Sequence, residues 1–222
     1  MTTDPWVVAV SAAAAGCLVV VPRAWSVSRH VSTIVHEAGH AVVAFLTGRR
    51  LAGIRLHSDS SGVTVSVGRP RGPGMVAMLA AGYPASAALG VAAALMLRAG
   101  YVSALLWCLV GLLGLMVVQV RNWFGAWSVL VSGVVVFAVT WWLPPRWQAG
   151  FAYLVTWFLL FAGPREVVGL YAARRRRRGR RGAQGSDADQ LARLTGVPAA
   201  VWVAGFFVVC LAVAVVGARL VL

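Results

Sequence analysis

Two histidines and a glutamate in the stretch STIVHEAGHAVVAF, residues 32–45, are the residues best suited to chemistry. His36 and His40 are four residues apart, so a helix would place both imidazoles on one face, within reach of a single ion. Glu37 lies about 100° further round the helix, where it would reach a water molecule held by the ion. This arrangement is typical of a zinc hydrolase, in which zinc acidifies the water and the glutamate transfers its proton.

The surroundings of this stretch are strongly apolar. Of the 222 residues, 60% are hydrophobic and 12% are charged, and the mean hydropathy is +0.80. Soluble domains are about 25% charged, so the composition indicates a membrane protein. Ionisable residues inside a membrane are costly and are usually functional. The alternative is a buried cluster satisfied by hydrogen bonds, but the HExxH spacing and the small residues Ala38 and Gly39 favour a metal site in a closely packed helix.

Apolar runs of about 20 residues are long enough to cross a ~30 Å hydrocarbon core as helices. The sequence predicts an all-α, polytopic membrane protein of six or seven transmembrane helices, forming a single domain over residues 1–222. The first run lacks a basic segment before it, so it is interpreted as a retained helix and not as a cleaved signal. The seven runs are 6–22, 27–48, 75–97, 101–120, 124–143, 149–171 and 198–219.

Two segments interrupt this helical pattern. Residues 51–68, LAGIRLHSDSSGVTVSVG, alternate apolar and polar residues around a Ser/Asp turn, which predicts a short β-hairpin after the HExxH helix. Residues 172–197 contain a polybasic run, a linker and a short amphipathic stretch. The sequence therefore predicts a hairpin insertion and a polybasic loop within the single domain.

The positive charge is concentrated between the apolar runs. Lys and Arg number 20 against 6 Asp and Glu, a formal net charge of +14. Loop arginines of this kind follow the positive-inside rule and contact anionic lipid head groups. With seven helices, the bias predicts a plasma-membrane protein with the polybasic loop and N-terminus in the cytoplasm and the C-terminus outside. Nucleic-acid binding is disfavoured, because no aromatic platform accompanies the arginines.

Three features together resemble the site-2-protease family of intramembrane zinc metallopeptidases, and in particular its compact bacterial branch. They are HEAGH in an apolar helix, the hairpin-like segment, and LAAGYPASAALG at residues 79–90. The resemblance implies that His36 and His40 bind Zn²⁺ and that Glu37 is the general base and acid. The family's third ligand normally belongs to a Leu-Asp-Gly motif, which this sequence lacks. Asn122 is similar to the asparagine that precedes that motif, but no acid follows it on the same run.

The third ligand has to come from a short inventory of acids. A catalytic zinc usually has three protein ligands and one open position. Asp187 is the first choice and Asp189 the second, although both also suit the capping of a helix that begins there. Glu166 is a further candidate, and His57 or Asp59 in the hairpin turn is the fallback.

These residues predict a zinc-dependent endopeptidase that cuts membrane-anchored proteins in or near their transmembrane segments, as in regulated intramembrane proteolysis. Its substrate-binding residues are not predicted, except that the hairpin could pair with an extended substrate. One alternative is an inactive scaffold or binding protein with a degenerate zinc site. Another is a transporter with a His/Glu proton relay, which would not need this spacing.

Overall fold

The computed structural model describes residues 4–177 and 185–222, and these parts of the chain are mostly helical. They form eight helices and one two-stranded sheet. The elements in chain order are α1 (Pro5–Val20), α2 (Pro22–Leu46), β1 (Arg50–Leu56), β2 (Gly62–Val67), α3 (Pro73–Arg98), α4 (Val102–Gln119), α5 (Trp123–Trp142), α6 (Pro145–Arg177), α7 (Asp187–Thr195) and α8 (Ala199–Val221).

Five of the described helices, α3, α4, α5, α6 and α8, are long and apolar enough to cross a membrane. Their outward faces expose large apolar side chains, such as those of Leu115, Trp127 and Val208, which lipid would cover. The chain is therefore a multi-pass membrane protein. The predicted fold class, an all-α membrane protein with a short hairpin after the HExxH helix, is confirmed.

The first two helices differ from the expectation of two separate spans. α1 has 16 residues, about 24 Å by the helical rise, which is short of the hydrocarbon core. α1 and α2 meet at Val21 with a bend of 98°. They are long and apolar enough to cross a membrane only when the two helices are taken together. The cause of the break is local, because Pro22 forces an extended Val21. The described residues thus contain five spans, or six with the bent pair as one. The upper figure of seven is not reached, and the cytoplasmic N-terminus, which depended on it, no longer follows.

α6 lies at the centre of the helix bundle and packs against α1, α3 and α8. Over its membrane-spanning window 56% of the residues are buried, against 17–33% for the other four spans. Trp157, Phe158 and Leu160 belong to the apolar cluster that α6 shares with α1, α3 and α4. Such burial in protein fixes the rotation of α6, and with it the direction in which Glu166 projects.

The hairpin is antiparallel, with Ile54 opposite Thr64, and its β1 edge is covered. The amide of Arg121 donates to the carbonyl of Ile54 at 2.8 Å. The Asn122 side chain accepts from the Leu56 amide at 3.1 Å and donates to the Leu56 carbonyl at 2.6 Å. Asn122 therefore holds the hairpin at the start of α5. In the parts of the chain that are described, β2 pairs only with β1, which leaves its other edge without a strand partner.

The predicted polybasic loop falls partly within helices. α6 continues to Arg177, so the basic run begins as the last turns of a helix, and residues 178–184 lie outside the described residues. α7 then runs over nine residues from Asp187 to Thr195. Its apolar side buries Ala188 and Leu191 against α3 and α8. This packing anchors the N-terminus of α7 beside α2 and α3.

Candidate metal centre

The paired histidines of α2 project into the bundle one helical turn apart, as their spacing predicts. His40 is buried, and His36 is half-buried. The two Nε2 atoms lie 3.1 Å apart, with the rings almost perpendicular at 87°. The imidazoles therefore direct two nitrogen atoms toward the same point.

A main-chain carbonyl determines which nitrogen of His40 carries its proton. His40 Nδ1 lies 2.7 Å from the carbonyl oxygen of Met78 on α3. Because a carbonyl only accepts hydrogen bonds, Nδ1 must be the donor. In the neutral ring Nε2 then keeps its lone pair, which faces His36. This is the tautomer that metal coordination through Nε2 requires.

Asp187, the first residue of α7, completes the convergence of donor atoms. Its Oδ2 lies 3.2 Å from His36 Nε2 and 3.4 Å from His40 Nε2. Burial alone would raise the pKa of the Asp187 carboxyl, but the proximity of the two imidazoles outweighs it and holds that pKa well below its ordinary value. Asp187 is consequently a carboxylate at neutral pH.

The three donor atoms fit a zinc ion. A tetrahedral zinc ion with bonds of about 2.0–2.1 Å separates its ligand atoms by about 3.3–3.4 Å. The corresponding separations among His36 Nε2, His40 Nε2 and Asp187 Oδ2 are 3.1, 3.2 and 3.4 Å. Two imidazoles and one carboxylate also form a donor set common in catalytic zinc sites, which leave a fourth position open.

Asp189, the second choice for a third ligand, has different partners. Its Oδ2 accepts from the Ser186 amide at 2.9 Å and from the Ser186 hydroxyl at 2.8 Å, and its Oδ1 pairs with the Arg174 guanidinium. Ser186 in turn caps the Asp189 amide, which completes a capping box. Asp189 therefore holds the N-terminus of α7, and its neighbour Asp187 faces the histidines.

Glu37 is buried beside the pair, with its carboxylate fixed by the hairpin. The hydroxyl of Thr64, on β2, donates to Glu37 Oε2 at 2.5 Å and lies 3.2 Å from the Glu37 carbonyl oxygen. His36, Glu37 and His40 each offer a potential ligand atom within 4.8 Å of one another. Glu37 is thus close enough to act on a molecule bound between the histidines.

The other candidate ligands lie elsewhere. Asp59 is in the hairpin turn, where its Oδ1 accepts from the amide of Ser61 at 2.9 Å and from its hydroxyl at 2.6 Å. These hydrogen bonds lower the pKa of Asp59, as expected of a turn residue. His57 lies in the same turn, 3.4 Å from the Ser61 hydroxyl. Glu166 faces Nδ1 of His36, on the far side of that ring from His40 and Asp187.

Gly82, within the AAGYPAS segment of α3, provides the space for the imidazoles. A Cβ atom at this position would lie 2.5 Å from His36 Nε2 and 2.6 Å from His40 Cε1. The next residue, Tyr83, packs edge-on against His36 and stacks on Phe206 of α8. The sequence pointed to the glycines around Pro84 but not to Thr64 or Met78, because only the packing of α3 and the hairpin on α2 brings these two residues to the histidines.

We expect Gly82→Ala to abolish metal binding at this centre. The added methyl group would displace both imidazoles, and overpacking of this kind typically costs about 1–3 kcal/mol of stability. The zinc content of the purified protein and its thermal unfolding measure the two effects. Gly111→Ala on α4 is the matched control, since nothing lies within 4 Å of a Cβ there. Full zinc content and unchanged unfolding of the Gly82 variant would contradict this account of α3.

Comparison with known proteins agrees with this geometry. A family model described as Peptidase M50B-like matches residues 9–217, a range that includes α2, the hairpin and α7. No curated protein and no solved structure matches the chain. Peptidase M50 is the site-2-protease family of zinc metalloproteases, which the HEAGH and AAGYPAS segments resemble. Because the match covers most of the chain, this protein belongs to the Peptidase M50B-like branch of the site-2-protease family.

Proposed function

We propose that the protein is a zinc-dependent intramembrane endopeptidase that hydrolyses peptide bonds in or near the transmembrane segments of membrane proteins. The observation that carries the proposal is the convergence of His36 Nε2, His40 Nε2 and Asp187 Oδ2 at 3.1–3.4 Å beside the carboxylate of Glu37. Family membership supports the same chemistry. The absent Leu-Asp-Gly motif was the reason to consider an inactive scaffold, and the position of Asp187 supplies a carboxylate in its place.

Each residue has a separate part in this proposal. His36, His40 and Asp187 would hold a zinc ion, which when bound would acidify a water molecule and polarise the scissile carbonyl. Glu37 removes a proton from the attacking water and later delivers it to the leaving amine. Thr64 orients Glu37 through its 2.5 Å hydrogen bond to Oε2. Burial of the site slows exchange with bulk water and strengthens these interactions.

The free edge of β2 is the proposed place for the substrate. A transmembrane helix satisfies its own backbone hydrogen bonds, so its scissile region must unwind before hydrolysis. An unwound segment could regain backbone partners by adding as a strand to β2, whose Thr64 contacts Glu37. The proposed partner is therefore a membrane-anchored protein with an extended segment near its scissile bond.

The proposed location is the plasma membrane, with the polybasic segment on the cytoplasmic side. Arg175 and Arg176 lie in the last turn of α6 at one side of the bundle, where they would meet anionic lipid head groups. Protease accessibility of this segment in right-side-out and inverted vesicles decides the orientation. Cleavage from the external side alone would contradict it.

The ligand set predicts how zinc content responds to substitution. His36→Ala, His40→Ala and Asp187→Ala should each reduce bound zinc from one per chain to less than about a tenth of that value, because two protein ligands hold zinc weakly. Asp189→Ala should keep the zinc while weakening the cap of α7 by about 1 kcal/mol. Elemental analysis after dialysis against a weak chelator measures this. Normal zinc content in the Asp187 variant would assign the third ligand elsewhere, and Asp59→Asn is the control for loss of an acid outside the site.

The role of Glu37 is tested by separating metal binding from catalysis. Glu37→Gln should leave one zinc per chain but slow cleavage at least about 10²-fold, since an amide cannot accept the proton. Cleavage is followed with a co-reconstituted reporter that contains a single transmembrane helix, and the His36→Ala protein defines the background. Normal cleavage by the Glu37→Gln protein would contradict the assignment of Glu37 as the general base.

Disulfide trapping tests the β2 edge. Val63 on β2 and Arg55 on β1 are cross-strand partners, and both are exposed. In a chain without its three native cysteines and with Glu37→Gln, Val63→Cys should form disulfides with cysteines beside the scissile bond of the reporter. Arg55→Cys is the matched control and should react far less, because the β1 edge is covered by Arg121 and Asn122. Equal trapping by both variants would contradict docking on β2.

A further inference from the structure

Glu166 is a buried carboxylate that the proposed chemistry does not use. It lies on α6, two residues after Pro164, with 11% of its side chain exposed. Its Oε1 accepts a hydrogen bond from the buried Ser86 hydroxyl of α3 at 3.2 Å. Its Oε2 is buried without a hydrogen-bond partner and lies 3.7 Å from His36 Nδ1. Nδ1 of His36 is thus the polar group that faces this oxygen.

No arginine compensates for the Glu166 charge among the described residues. Arg165, its neighbour in sequence, packs instead on Trp25 of α2, with its guanidinium 5.2 Å from the centre of the ring. The basic group that Glu166 contacts in this part of the chain is the His36 imidazole, whose Nδ1 lies 3.7 Å from Oε2. Because burial of a carboxylate without a partner is unfavourable, a carboxylate at this position favours a proton on Nδ1 of His36.

The two histidines have equivalent outer partners once Glu166 is included. His40 donates its Nδ1 proton to the Met78 carbonyl at 2.7 Å, which leaves Nε2 for the metal. Glu166 occupies the corresponding position at Nδ1 of His36. Histidine ligands of zinc commonly donate the second N–H to a carbonyl or a carboxylate, which fixes the ring and increases its basicity.

We infer that Glu166 is a positioning residue. It accepts a hydrogen bond from the Nδ1–H of His36 and thereby keeps the Nε2 atom of His36 directed at the zinc position. The inference rests on the proposed function and deepens it, because it assigns to α6 a part in metal affinity. The separation of 3.7 Å is longer than a hydrogen bond, so the proposed contact requires the two groups to approach by about 0.5 Å. Ser86 fixes the other carboxylate oxygen, so that Glu166 is itself oriented by α3.

A graded series of substitutions distinguishes positioning from packing. Glu166→Gln retains the shape and an acceptor oxygen, whereas Glu166→Leu retains the bulk but removes the acceptor. We expect zinc affinity to fall in the order Glu, Gln, Leu, with a loss of about 10–100-fold for leucine. Competition with a chromophoric chelator measures the affinity. The absorption spectrum of the cobalt-substituted protein should shift in the same order, because the ligand field reports the His36 ring directly.

Thr156→Val on the same helix is the matched control. Thr156 is fully buried, and its hydroxyl donates to the Ala152 carbonyl within α6, so this change perturbs the helix without reaching His36. It should leave zinc affinity and the cobalt spectrum unchanged. If Glu166 served only to fill space, the Glu166→Leu protein would bind zinc as tightly as the wild type, and that result would contradict the inference.

The remaining outcomes are decisive as well. Complete loss of zinc in both Glu166 variants, equal to that of His36→Ala, would make Glu166 a ligand and overturn the positioning role. If Glu166→Leu fails to fold, wild-type affinity and spectrum in Glu166→Gln overturn it equally. A wild-type protein that binds no zinc would overturn the proposed function itself, which separates that failure from failure of this inference.

Discussion

Three electron-pair donors, two imidazole nitrogens and one carboxylate oxygen, converge within 3.1–3.4 Å in the interior of a membrane protein. His40 Nε2 carries no proton when its ring is neutral, since the Met78 carbonyl takes the Nδ1–H. Such a group of donors repels itself unless a proton or a metal cation lies between them, and the repulsion is stronger where water is scarce. The surrounding structure must therefore allow the charge at this point to be compensated. It also answers why so apolar a chain contains an HExxH sequence in its second helix.

Most of what holds the centre together is apolar packing far from it in sequence. Asp187 is 151 residues from His36, and the central helix α6 and the short helix α7 bring the two together. Ala188 and Leu191 are fully buried between α3 and α8, and they set the position of the first turn of α7. The capping box of Ser186 and Asp189 then fixes the direction of that turn. The position of Asp187 thus depends on hydrophobic contacts along one face of α7 and on the capping box at the N-terminus of that helix.

The parts of the site that are local in sequence were predictable, and the parts that depend on tertiary packing were not. The spacing of His36 and His40 on a helix, and the hairpin after it, follow from periodicity alone. Asp187 emerged as first choice because the chain has only six acids. Nothing local distinguishes it from Asp189, whose carboxylate caps the same helix. The bend at Val21 was also missed, since a hydropathy window averages over a break that one proline creates. Gly82 and Glu166 act through contacts between helices, which the periodicity of the sequence does not predict.

The hairpin connects the chemistry with the surface that a substrate would approach. Asn122 and Arg121 hold its β1 edge against the start of α5, and Arg29 of α2 donates to Ser60 and to the Asp59 carbonyl in the turn. The β1 edge and the turn of the hairpin are thereby fixed to the bundle, while β2 retains an unpaired edge within the described chain. Thr64 lies on this strand and holds the carboxylate of Glu37. In the proposed mechanism a segment that adds to β2 therefore lies beside the same strand that orients the general base. Substrate alignment and proton transfer would then depend on one rigid element.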